Sequence, residues 1–103
     1  MDVSPNISDI AWSIFGQFGG TRTLFMIGGT VADWGENYIA IKFKMFPKAN
    51  IVKIKYEKGS DLYTIIFYKY RANEIKEVKK FEEVYADQLT NIFEDYTGLY
   101  TKL

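Results

Sequence analysis

Apolar and polar side chains alternate with a period of two from Tyr38 to Met45. Ile39, Ile41, Phe43 and Met45 fall on one side and Ala40, Lys42 and Lys44 on the other, as in a strand with one dry and one wet face. Phe46-Pro47-Lys48-Ala49-Asn50 breaks the pattern, because proline cannot donate to a ladder and favours turns. The alternation resumes from Ile51 to Glu57, setting Val52, Ile54 and Tyr56 against Lys53 and Lys55. Lys58-Gly59-Ser60-Asp61 is turn chemistry. Leu62 to Arg71 then reads as a third strand, β-branched and aromatic on both sides, the mark of a central or doubly covered strand. Connections this short make the three an antiparallel meander.

Upstream, Ile7, Ile10, Ala11, Ile14, Phe15 and Phe18 follow helical spacing, with Asn6 as the expected N-cap and Asp9 in the first turn. Gly19 and Gly20 end that helix. Thr21 to Ile27 reads as a first strand, interrupted by Gly28-Gly29-Thr30. Asp33 to Asn37 reads as an irregular acidic loop, in which Trp34 is either a lid on the core or an exposed anchor. Downstream, Ala72 to Lys80 has only Ile75 and Val78 as aliphatic residues and is an edge strand or a solvated connector. A second helix runs from Tyr85 or Ala86 to Tyr96, with Tyr85, Leu89, Ile92, Phe93 and Tyr96 on one stripe and Thr97-Gly98 as its stop. Leu99 can fold back on the last turn, and Tyr100 to Leu103 should dock. The expected fold class is α+β: one domain, 1–103, with an antiparallel four-stranded sheet, or five-stranded if 72–80 joins it. An N-terminal and a C-terminal helix pack on the sheet, in the order α-β-β-β-β-α.

Charge changes this picture. The formal net charge is zero, yet residues 1–40 hold one arginine against four carboxylates and residues 81–103 hold one lysine against five. Residues 41–80 hold eleven basic side chains against four carboxylates, a net +7. The sheet is basic and its flanks are acidic. Aromatics make up 17% of the chain, enough to leave rings for a surface after a core is filled.

Histidine and cysteine are both absent, which rules out disulfides, the usual zinc sites and Cys or His nucleophile–base systems. Asp61, Asp87, Glu94 and Asp95 stand at turns and helix ends, where capping and solvation account for them. Catalysis would need a carboxylate-only or Tyr/Lys site, so the expectation is a protein that is not an enzyme and carries no cofactor. Asp33/Glu36 and Glu82/Glu83 offer oxygen ligands without a recognisable metal loop, and no metal is expected. The pair Gly19-Gly20 beside Thr21 and Arg22 has the composition of a phosphate cradle, but such a loop feeds into a helix and these glycines are expected to follow one. No apolar run approaches the roughly 20 residues of a membrane helix, and acids rather than a basic leader open the chain, so a cytoplasmic protein is expected.

Three segments carry a family resemblance. They are Ile14-Phe15-Gly16-Gln17-Phe18-Gly19-Gly20, Val84-Tyr85-Ala86-Asp87-Gln88-Leu89 and Thr97-Gly98-Leu99-Tyr100-Thr101, and Thr23 to Ile27 and Asp61-Leu62-Tyr63 add to them. Together the chain resembles a group of small, uncharacterised proteins encoded by bacteriophages. The resemblance implies a phage accessory protein at work in the host cytoplasm and supplies no chemistry of its own.

Two macromolecular functions follow. Lys42, Lys44, Lys53 and Lys55 should share one exposed sheet face, with Tyr38, Tyr68 and Tyr70 beside them. Lysines that track a backbone, interleaved with rings that stack on bases, are what a platform for single-stranded nucleic acid needs. The alternative is an inhibitor or adaptor that binds a host or defence protein through Trp12, Trp34, Tyr96 and Tyr100 and the acidic flanks, since Trp and Tyr dominate interface hot spots. A homo-oligomer that sequesters a small ligand between subunits is a third arrangement.

Overall fold

The computed structural model describes residues 8–102. Two short helices come first, α1 (Asp9–Gln17) and α2 (Gly20–Ile27). Five strands follow, β1 (Thr30–Trp34), β2 (Tyr38–Lys42), β3 (Ile51–Glu57), β4 (Leu62–Arg71) and β5 (Glu74–Val84). A 3₁₀ turn, Ala86–Gln88, then leads into α3 (Leu89–Thr97). The strands form one antiparallel meander in chain order, β1-β2-β3-β4-β5. The α+β class and the antiparallel sheet agree with the periodicity, and Ala72 to Lys80 lies in the turn and the fifth strand.

The N-terminal third departs from expectation. The segment read as a first strand, Thr21 to Ile27, is helical. Thr23 and Ile27, one turn apart, are both buried, so the period that matters is helical and a threonine supplies half of it. The Thr23 hydroxyl donates to the Phe18 carbonyl at 2.7 Å, tying the turn between the helices. Gly19, at φ 106°, makes that turn, and a methyl group there would collide with Thr23 Oγ1. The two glycines follow α1 as expected, but Gly20 also opens a second helix where a strand is expected. The first strand is instead Thr30–Trp34, part of which the sequence pattern assigns to a loop. The expected cap Asn6 and the first apolar position Ile7 lie outside the described residues; Ser8 caps α1, its Oγ accepting from the Ala11 N–H at 3.1 Å.

All three helices pack on one face of the sheet. Ile39 and Ile41 of β2, Val52 and Ile54 of β3, and Ile65 and Phe67 of β4 are fully buried there. Phe93 of α3 is also fully buried, edge-on to Phe18 and Phe43 and stacked on Phe67 with centroids 5.1–6.0 Å apart. Met45 does not continue that inward row. Strand β2 ends at Lys42, Met45 takes φ 74°, and its side chain is 69% exposed. Tyr85 likewise leaves its expected stripe for solvent, while Leu89 and Phe93 bury.

Of the segment expected to dock, Tyr100 is exposed and Leu103 lies outside the described residues; Thr101 is what holds on, its N–H and hydroxyl both donating to Glu94 Oε2, at 2.8 and 2.7 Å. Both edge strands are bulged: β1 between Val31 and Asp33, and β5 opposite Tyr63–Ile65 and again opposite Phe67–Tyr68. Bulges and a run of charge on β5 blunt the sheet against pairing with another chain.

Candidate functional site

Because the helices share one face, no described helix covers the other, and that face is open among the described residues. Register fixes its pattern. Thr30, Lys42, Ile51, Tyr68 and Glu77 form one row across the five strands. Ala40, Lys53, Ile66 and Lys80 form the next, and Tyr38, Lys55 and Thr64 a third. Lys42, Lys53 and Lys55 thus lie on two adjacent strands as the alternation predicts. Lys44 does not join them. With β2 ended, its N–H donates to the Ile27 carbonyl at 3.1 Å and its side chain runs over Gly28, on the helix side.

Lys42 and Lys53 have no carboxylate partner among the described residues, whereas Lys55 lies 4.0 Å from Glu57 and Lys80 lies 3.4 Å from Glu82. Lysine therefore concentrates on β2 and β3, with Asp33, Glu57 and Glu77 at the borders of the face. A shallow hollow of about 360 Å³ lies between them, bounded by Ala40, Ile51, Lys53, Tyr68 and Ile75. Ala40 and Ile66 are nearly buried although no described helix covers them.

The three tyrosines differ. Tyr38 is held on several sides: its ring lies against Gly35, its hydroxyl donates to Asp33 Oδ2 at 2.9 Å, and Lys53 Nζ stands 4.3 Å from its centroid. The hydrogen bond to Asp33, then burial, hold its phenol above the usual range. Tyr38 positions Lys53 rather than offering a free ring. Tyr68 lies partly buried at the centre of the face, where burial first and Glu77 second push its phenol up. Tyr70, opposite Ile75, is 41% exposed.

Of the rings assigned to a protein partner, Tyr96 lies in the core against Phe46, Phe67 and Phe81, with centroids 4.5–5.8 Å apart. Trp12 is 50% exposed and stacks on Phe15, Trp34 on β1 is 36% exposed, and Tyr100 is 72% exposed. These three stand on separate elements, α1, β1 and the C-terminal segment.

Asp61 and Glu36 are engaged locally. Asp61 accepts from the Tyr56 hydroxyl, a contact that raises the Tyr56 phenol, and Glu36 lies 3.9 Å from Lys58. Among the described residues no group of three or more His, Cys, Asp or Glu could hold a metal ion. No helix among them is long and apolar enough to cross a membrane.

Periodicity missed the apolar floor of the open face, Ile51, Ile66 and Ile75, and also Lys80. Ile66 was visible as the outward member of a strand apolar on both sides. Lys80 was not, because the bulge opposite Phe67–Tyr68 resets which β5 residues face outward. Comparison with protein-family models, with curated proteins and with solved structures finds no match.

Proposed function

We propose that the chain is a non-enzymatic binding domain that holds single-stranded nucleic acid on the open face of its sheet. One observation carries the reading: the described helices all pack on one face and leave Lys42 and Lys53, neither with a carboxylate partner among the described residues, on the other face together with Tyr68 and Tyr70. Lysines follow the phosphates, and each ring that stacks on a base contributes about 1–3 kcal/mol. The acids at the borders confine the phosphate path to the two middle strands.

The test is equilibrium binding of a labelled single-stranded oligonucleotide across a salt series. Wild-type affinity should fall steeply as salt rises, because each phosphate contact releases counterions. The double variant Lys42→Glu/Lys53→Glu should lose binding. Affinity that ignores salt and survives both reversals would discard this surface.

A second reading is a protein-binding module, and the observation that favours it is the exposure of Trp12 and Tyr100 away from the sheet face. The resemblance to phage accessory proteins fits both readings. A partner captured by wild type and by the lysine reversals, but lost on Trp12→Ala, would favour this one.

A further inference from the structure

The basic segment does not end on the open face. The last pair between β3 and β4 is Ile51 with Tyr68, so Lys69, Tyr70 and Arg71 pair only with Lys76, Ile75 and Glu74. This two-stranded ribbon closes through Ala72 and Asn73, both left-handed at φ 54° and 65°, the two-residue turn whose twist suits a hairpin. Asn50 stands in for the missing third strand at its base. Its amide donates to the Tyr70 carbonyl at 2.9 Å and accepts from the Tyr70 N–H at 2.8 Å.

Lys69 and Lys76 face each other across the ribbon on the helix side, in register with no residue between. Like charges directly opposite destabilise an antiparallel pair, and neither lysine has a carboxylate partner among the described residues. Lys44, turned out of the sheet, comes to the same place. With Lys69 it lines a hollow of about 480 Å³ floored by Phe43, Phe46, Pro47 and Asn50. The stretch 69–80 holds five basic side chains against Glu74 and Glu77, a net +3.

We infer that this hollow, lined by Lys44 and Lys69, with Lys76 paired opposite Lys69 on the ribbon, holds the phosphate backbone of the same nucleic acid after it leaves the open face past Lys42. The inference rests on the open-face reading. Lys42 closes the outward row of β2 and Lys44 lies two residues on, so the 43–50 connection is the rim a strand would cross between the two surfaces. Ammonium groups are compact point charges suited to phosphate, and an anion between Lys69 and Lys76 removes the repulsion that the ribbon carries alone.

The experiment compares single strands of about 5 and about 20 nucleotides, since short sites and extended ones differ on this scale. Binding is read for wild type, for Lys69→Gln/Lys76→Gln and for Lys42→Glu/Lys53→Glu. The ribbon variant should bind the long strand about tenfold more weakly, with a salt slope shallower by about 1.4 for two lost contacts, and should leave the short strand unaffected. Its melting temperature should hold or rise, which separates lost contacts from lost folding. Unchanged long-strand affinity in the ribbon variant, with loss in the sheet variant, overturns the inference and keeps the open-face reading. Loss in the ribbon variant alone keeps the phosphate hollow and overturns the open-face reading. A wild type that binds neither strand at low salt overturns both.

Discussion

The two faces of β2, β3 and β4 are made by the same three strands and differ in nearly everything else. On the helix side, Ile39, Ile41, Val52, Ile54, Ile65 and Phe67 are fully buried against Phe18, Phe43 and Phe93. On the open side, the residues one step along each strand are Ala40, Lys42, Lys53, Lys55, Ile66 and Tyr68. Alternation makes both faces at once, but the placement of the helices decides which becomes core. One face carries the folding free energy, and the other is the surface on which the proposed function rests.

That division can be broken from either side. The largest effect should come from Phe93→Ala on α3, which empties a fully buried site shared by three aromatic partners. It should cost about 3–5 kcal/mol in denaturant unfolding. A loss below about 1 kcal/mol would mean that the helix-side face is not the core.

This contrast also marks what the sequence made legible. The three meander strands could be read because Lys and aliphatic residues alternate strictly in β2 and β3. Helix α2 could not, because Thr21-Arg22-Thr23 imitates a strand, and the buried partner of Ile27 is a threonine that hydropathy does not count as core. Strand β1 was hidden by its bulge and by the acidic Asp33. The open-face lysines followed from period two up to Lys42. Lys44 failed because the strand stops one residue past the pairing, where Phe43 closes on Asn50 and the chain turns.

Next in size is Gly19→Ala, which asks whether the α1–α2 corner belongs to the same cooperative core. The residue would be forced to hold φ 106° and to push against Thr23 Oγ1, at a cost of roughly 1–3 kcal/mol. Equilibrium unfolding reads this directly, and an unchanged midpoint would show that the corner relaxes freely.

Glu94 sharpens the comparison by pH. The Thr101 N–H, then its hydroxyl, hold the Glu94 carboxyl below the usual range. A depressed carboxylate contributes stability above its unfolded value, and that contribution is lost as pH falls through the folded value. Stability should therefore decline on acidification below about pH 4.5, and Glu94→Gln should flatten that limb while costing about 1 kcal/mol at pH 7. An acid limb identical in the variant would remove Glu94 from the account.

The smallest effect belongs to the open face. Lys42→Glu and Lys53→Glu should each shift stability by about 0.5 kcal/mol or less, because solvent screens charge there. A loss of several kcal/mol would mean that these lysines support the fold, and any change in binding would need another cause.

The most direct measurement is chemical-shift mapping of the folded protein during titration with a single-stranded oligonucleotide at low salt. Perturbations should centre on Lys42, Lys53, Lys55, Tyr68 and Tyr70, while Ile54, Ile65 and Phe93 stay fixed. Perturbations centred instead on Trp12 and Tyr100, or none at any position, would contradict the claim that the open face is where this protein binds.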